Sequence, residues 1–365
     1  MHHVLLHCAL IPQLGPRSVV RLLNQVGLDE LSTIYHWSIN DFEKRAGFSS
    51  ATAQLVHTGL RDQTVLSKEL EFIERYQIRW ADWTDAAYPA LLKMIHAPPL
   101  ILYWRGAEPA SCAPAVALVG SRQAGSYAQR AVDRLVPELV GAGWSVISGG
   151  ARGADTMAHE ATLRAGGRTA AVVGSGLLRP YPANNKKLFE RIVGEGGSLI
   201  SPFPLLMEAL PGNFPARNRI IAGMGRATVV VQAAEKSGAR ITALYALEEG
   251  REVCAVPGDI FDPLSAGCHR LILEGATLVA SGADVLRACG CEVAAQPIDR
   301  QKPLTAPEEQ HDERDELLKL CLAPQSFDEL LVGLSCSAGE LRERLFDLQV
   351  GGRIEQDFAG KWSSL

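Results

Sequence analysis

Between residues 115 and 295 the chain alternates short apolar runs with stretches of helical length, and this alternation constrains the fold more than any other feature. The runs are 115–119, 144–147, 169–173, 198–200, 227–231, 252–256 and 277–279. The stretches between them with helical patterning cover 126–141, 154–165, 184–194, 217–223, 239–249 and 265–274. Strands that read apolar throughout are buried on both faces. When helices connect them, the expected class is α/β, with a doubly wound, mostly parallel sheet covered on both sides. Pro137 falls inside the first helical stretch, removes a backbone donor and predicts a kink there.

Two proline-bearing joints, 105–114 and 296–310, set off flanking regions, which gives expected domains at 1–104, 115–295 and 311–365. The N-terminal region reads helical. Val19, Val20, Leu22, Leu23 and Val26 form an amphipathic stripe after the turn Leu14-Gly15-Pro16. A helix, a Gly-Pro turn and a second helix resemble a SAM-like or helix-hairpin-helix unit, whose turn amides can hold a DNA phosphate or serve packing alone. The C-terminal region shows helical patterns at 312–322, 326–333 and 337–348. Gly351-Gly352 and a hairpin with its turn near Ala359-Gly360 follow, and together these make a winged-helix-like pattern. Its third helix holds Glu340, Arg342, Glu343, Arg344 and Asp347, a balance that disfavours phosphate and points to a partner or regulatory role.

The net charge is −5, and the excess acid sits in residues 300–365, with 8 basic and 13 acidic residues. This argues against indiscriminate duplex binding but permits a local anion site in the neutral centre. No stretch of about 18 residues is apolar without charge, so no membrane span is expected. The N-terminus lacks the pattern of a secretory leader. Eight scattered cysteines read as reduced thiols in the cytoplasm.

The residues suited to binding chemistry follow the apolar runs. Gly120-Ser121-Arg122 closes the first, where glycine lets the backbone approach an anion and the arginine can clamp a phosphate. Ser148-Gly149-Gly150-Ala151-Arg152-Gly153 closes the second, and its three glycines leave amides free; Asp155 fits a helix cap. It is not a dinucleotide fingerprint, so no nucleotide cofactor is expected. His159, one turn into the next helix, reads as a satisfied core histidine. Tyr181, Lys186 and Lys187 follow the third run. Phe214, Arg217, Asn218 and Arg219 combine an aromatic, two cations and an amide, a mixture suited to a phosphate backbone and a stacked base, although either arginine would equally serve a salt bridge. Ser237, Gly238 and Thr242 make a further strand-to-helix anion loop. The carboxyl ends of parallel strands share one edge, so Arg122, Arg152, Lys186, Arg217, Arg219 and Ser237 are expected to converge on one groove. No zinc-ligand spacing, Walker motif or nucleophile elbow accompanies them, which favours a polyanion binder with no metal and no catalytic residues.

At these residues the chain resembles the DNA-processing protein A (DprA/Smf) family. The matching pieces are VGSR at 119–122, SGGARGAD at 148–155, YPANNKKLF at 181–189, LPGNFPARNRIIAG at 210–223, SGARITALYALEEGREVCAVPG at 237–258 and SAGCHRLILEGATLV at 265–279. The resemblance implies an extended Rossmann-like domain that binds single-stranded DNA, forms a homodimer, protects incoming strands in natural transformation and loads the RecA recombinase. It places the phosphate-holding role on Arg122, with help from Ser121, the 149–153 loop, Lys186, Arg217 and Arg219. The chain departs from the family pattern at Gln232, Arg240 and 201–204. Two other readings compete. One is a phosphoribohydrolase-like enzyme cleaving a base from a nucleotide, which needs an acid that the 233–242 stretch lacks. The other is a duplex-DNA regulator acting through the C-terminal region.

Overall fold

The computed structural model describes residues 2–28, 30–292, 314–334, 336–350, 353–357 and 360–364. The chain divides into two compact units, 1–293 and 294–365. The expected joint at 296–310, Gly351-Gly352 and Ala359 lie outside the described residues.

The first unit begins with helices α1 (His2–Leu10), α2 (Pro16–Val26), α3 (Ile39–Lys44), α4 (Ser50–Arg61) and α5 (Gln63–Arg75). Their apolar faces close on one another around Leu5, Leu22, Leu31 and Phe42. Ser38 and Ser49 cap α3 and α4 by accepting from the backbone three residues on. Strand β1 (Arg79–Asp82), helix α6 (Ala90–Lys93) and strand β2 (Ile101–Gly106) come next. These two strands enter the large sheet, so residues 1–104 are not all helical, and the joint at 105–114 does not separate compact units. The reason is local: Ile101, Leu102, Tyr103 and Trp104 are all buried, and an apolar strand needs a sheet partner on both sides.

From there strands and helices alternate: β3 (Ala115–Val119), α7 (Ser126–Gly141), β4 (Ser145–Ser148), α8 (Ala154–Arg164), β5 (Thr169–Val172), α9 (Lys186–Gly194), β6 (Ser198–Ser201), α10 (Asn213–Met224), β7 (Ala227–Val230), α11 (Gly238–Glu248), β8 (Glu252–Ala255), α12 (Ala266–Leu273), β9 (Thr277–Leu278) and α13 (Gly282–Ala288). Among the described residues nine strands form one sheet in the order β1-β2-β6-β5-β4-β3-β7-β8-β9. Pairing is parallel from β6 through β9 and antiparallel at β1–β2 and β2–β6. Within β3 the side chains alternate, with Ala117 and Val119 packing towards one helical layer and Val116 and Leu118 towards the other. Helix α7 continues through Pro137 without a break. Both Pro137 and Asp133, whose carbonyl loses its partner, face solvent.

After β3 the chain winds outward through β4, β5 and β6, then returns to add β7, β8 and β9 on the other side. The connections therefore part between β3 and β7, and a crevice opens there at the carboxyl ends of the strands.

The second unit contains α14 (Arg314–Leu320), α15 (Phe327–Gly333), α16 (Ala338–Val350) and an antiparallel pair, β10 (Ile354–Gln356) and β11 (Trp362–Ser364). Leu317, Leu330, Leu341, Leu345, Ile354 and Trp362 form its core.

Candidate nucleic-acid interface

The crevice is built by three loops whose glycines permit close backbone approach. A Cβ at Gly120 would lie 2.6 Å from the Cβ of Ala154. Gly153 has φ +78°, and a Cβ there would run into the Ser121 carbonyl and lie 2.8 Å from that of Arg122. The 120–122 loop therefore rests directly on the start of α8. The Ser121 amide donates to the Gln232 carbonyl at 2.6 Å, tying the same loop to the end of β7. The Gln232 side chain donates to Asp262 at 2.8 Å, a link that an acid at this position would turn into a repulsion. Asn185 donates to the Gly150 carbonyl and to Thr156, both at 2.9 Å, and fixes the 149–153 turn.

Two adjoining cavities result. The first, of about 390 Å³, lies at the β3–β7 switch and is lined by Gly120, Ser121, Arg122, Asn218, Lys236, Ser237, Gly238 and Thr242 among others. The second is a narrow cleft bordered by Arg122, Arg152, Tyr181, Phe214 and Arg217. Arg122, Ala151 and Arg217 belong to both. Arg122 and Arg217 lie over the Phe214 ring, with guanidinium carbons 5.5 and 5.7 Å from its centroid, and Tyr181 meets the ring edge-on at 6.0 Å. Tyr181 and Lys236, the latter beside the Ser237 cap, line these cavities too, although neither belongs to the expected set of binding residues.

The charges divide sharply. Arg122, Arg152 and Lys236 are exposed and make no ion pair among the described residues. Arg217 is only 5% exposed. Its Nη1 donates to the carbonyls of Gly149 and, at 2.7 Å, Val172, and its Nε donates to Asn218 at 3.0 Å. None of these acceptors is a carboxylate. Burial pushes the Arg217 pKa down to about 10, with neighbouring Asp155 opposing the shift and Arg122 adding to it. Asp155 is itself held above the usual carboxylate range by burial, and accepts from the Ala151 amide at 3.2 Å. A buried, still charged guanidinium beside an unpaired one leaves net positive potential at the crevice floor, which an anion would neutralise. Arg217 is thus a floor pin as well as a cation, a less accessible position than the one expected for direct phosphate contact.

Other expected residues fall elsewhere. Arg219 does not join the groove. It pairs with Glu248 at 3.1 Å and Glu249 at 3.0 Å, lies over the Tyr245 ring, and faces an apolar cavity on the far side of α10. Ser148 is fully buried and donates to the Leu118 carbonyl at 2.6 Å, a strand-to-strand bond rather than an anion contact. Ser237 accepts from the Ala239 amide as the α11 cap, and the Thr242 hydroxyl donates to Gly238 at 3.3 Å. The Ser121 oxygen accepts from the Gln123 amide at 3.0 Å, and its proton remains available to an anion. Lys186 and Lys187 are exposed on the first turn of α9, flanking the cleft without lining either cavity.

His159 is fully buried, with Nδ1 2.7 Å from the Thr169 hydroxyl, and burial pushes its pKa down to about 3. It is neutral in the folded chain, but only half satisfied, since its Nε2 is buried without a hydrogen-bond partner among the described residues. The unfolded state takes up this proton below about pH 6.5, so folding stability is complete above that value. Stability then falls by about 1.4 kcal/mol per pH unit on acidification until the folded pKa is reached. Urea unfolding from pH 7 to pH 4.5 is expected to show this loss, and His159→Asn, which keeps a hydrogen-bonding group near Thr169, should flatten the slope by that amount. Equal slopes in the two proteins would exclude the histidine as its source.

Residues 79–290 match the family model described as DNA recombination-mediator protein A. The chain is 42% identical over 229 residues to DNA processing protein DprA of Streptococcus pneumoniae, covering 62% of this chain and 77% of that one. It is 34% identical over 325 residues to Protein Smf of Synechocystis, covering 79% and 81%. Among solved structures, DNA processing protein A from Streptococcus pneumoniae superposes with a TM-score of 0.69 at 34% identity, over 79% of this chain and 98% of that one. DNA processing protein A from Helicobacter pylori, described for its single-stranded DNA binding mode, superposes with a TM-score of 0.52 at 25% identity, over 58% and 94%.

Proposed function

The chain belongs to the DNA recombination-mediator protein A family, and from that premise we propose that it binds single-stranded DNA along the carboxyl edge of its sheet without chemical change to the strand. The observation that carries this reading is Arg217, a buried guanidinium hydrogen-bonded to carbonyl oxygens with Asp155 near it but not in a direct ion pair, set beside the unpaired Arg122 against one aromatic ring. In this reading phosphates sit against Arg122, the Ser121 hydroxyl and the 149–153 loop. Arg152 and Lys236 approach from either side, and a base rests on Phe214 or Tyr181. Lys186 and Lys187 extend the basic flank. The sequence-independent part of such a site is electrostatic.

The reading extends, through the family resemblance, to protecting incoming strands in natural transformation and to delivering them to the RecA recombinase in the cytoplasm. A homodimer fits the outer sheet edge, where Leu278 of β9 and Leu273 of α12 are exposed. The C-terminal unit, taken as a winged helix, serves a partner or regulatory role. A base-cleaving enzyme draws no support from the crevice, since Asp155, the one carboxylate among the lining residues, is buried and hydrogen-bonded to the loop that it shapes.

The test is fluorescence anisotropy with a labelled oligothymidylate. Five exposed cations facing phosphates give a slope of about −3.5 in log affinity against log salt, or a loss of about a hundredfold between roughly 50 and 200 mM salt. Absence of binding at the lower salt would overturn the reading.

A further inference from the structure

A second basic groove lies apart from the sheet edge. It has a volume of about 460 Å³ and opens between α2 and residues 93–98, with Arg17, Arg21 and Asn24 on one wall and Trp83, Lys93 and His96 on the other. The folding of α2 creates the first wall. Pro16 starts the helix after Gly15, and Val19, Leu22, Leu23 and Val26 bury its apolar stripe. Arg17, Arg21 and Asn24, at spacings of four and three, are left together on the exposed side. Among the described residues Arg17 and Arg21 make no ion pair and no acidic side chain lines the groove, while Glu249 accepts from the His96 amide at 2.8 Å behind its wall. This contrasts with Arg219, which two glutamates neutralise. Lys93 is held at the rim by its bond to the Asp85 carbonyl at 2.8 Å. The Trp83 indole Nε1 is buried without a hydrogen-bond partner.

The groove adjoins a cavity on the far side of α10 from the site already described. It shares Pro16 and Ala97 with an apolar cavity of about 520 Å³, whose wall includes Asn213 and Ala216 of α10. The same helix carries Arg217 and Asn218 to the sheet edge.

We propose that the groove between α2 and residues 93–98 is a second backbone-binding site for the same single strand, reached across α10, with the apolar cavity between the two sites taking bases and the cations of α2 taking phosphates. Unpaired arginines at helical spacing, an aromatic and an amide-bearing side chain, without an opposing acid, are the chemistry of a single-strand channel rather than of a protein-docking face. The proposal rests on the sheet-edge reading, and its test separates the two.

Full-length protein and the double variant Arg17→Ala/Arg21→Ala are titrated with oligothymidylates of about 6 and about 30 nucleotides. The short oligomer, which fills only the sheet edge, should bind both proteins alike. The long one should bind the variant about tenfold more weakly at low salt, with the salt slope reduced by about 1.4, the value for two lost phosphate contacts on a single strand. Arg17→Lys/Arg21→Lys should restore the slope. Because Arg21 packs over Gly47, Arg17→Glu alone is a control for folding: its melting temperature should be unchanged, and it should weaken only the long oligomer. Equal loss for both lengths, or unchanged binding of the long oligomer, overturns the groove while leaving the sheet edge standing. Failure of the wild-type protein to bind the short oligomer overturns the sheet edge itself.

Discussion

Arg122→Ala is expected to weaken single-stranded DNA binding by about 10- to 100-fold, the worth of one charge-assisted contact to a phosphate, and to lower the salt slope by about 0.7. The loss should be the same for oligothymidylate, oligoadenylate and mixed sequence, because a phosphate contact carries no base information. Thermal stability should not change, since Arg122 is exposed and its described contact is with the Phe214 ring. Arg122→Lys keeps the charge but loses the two-pronged geometry, so it should fall between the two proteins. A variant that binds as tightly as the wild type would remove Arg122 from the interface. A fall in melting temperature alongside the lost binding would make its role structural.

Arg217→Met acts on both stability and binding. The substitution strips the Val172 and Gly149 carbonyls of their donor inside the sheet edge while relieving the desolvation of a buried cation. The first effect outweighs the second, because two buried acceptors are left unmet. A loss of about 2–4 kcal/mol is expected in urea unfolding. Strand affinity should fall at least as far as for Arg122→Ala, since the 149–153 turn loses its anchor. A second readout isolates the charge: sulfate should raise the melting temperature of the wild type more than that of Arg217→Met, because the variant keeps Arg122 but lacks one of the two cations at the crevice floor. A variant as stable as the wild type, with the same response to sulfate, would contradict both parts.

The legible part of the fold was the part buried on both faces. Strands β3 to β8 appear within one residue of the apolar runs at either end, because a strand between two helical layers has no polar face to blur its limits, and β9 falls on its run at 277–279 although both of its residues are exposed. Strands β1 and β2 were not read. β1 is four residues with a charge at each end, and the antiparallel partners of β2 lie about 20 residues before it and nearly 100 after it. The start of α10 also went unread, since Pro215 near its first turn masks a helix that begins at Asn213.

The glycine loops of the site were legible because close backbone approach demands glycine at particular places. The split between Arg217 and Arg219 was not. They stand two apart on one helix, which turns them roughly 200° from each other. One points to the crevice floor, and the other crosses to Glu248 and Glu249. Ser148 was misassigned for a related reason: the last residue of β4 faces β3, so its hydroxyl serves the sheet before any ligand arrives.

The meeting of Gly153 with the Ser121 and Arg122 carbonyls also bears on kinetics. Two loops locked backbone to backbone have little freedom left to surrender when a strand arrives. Encounter should therefore be limited by diffusion and steering, with rates that rise as ionic strength falls, and the lifetime of the complex should set its affinity.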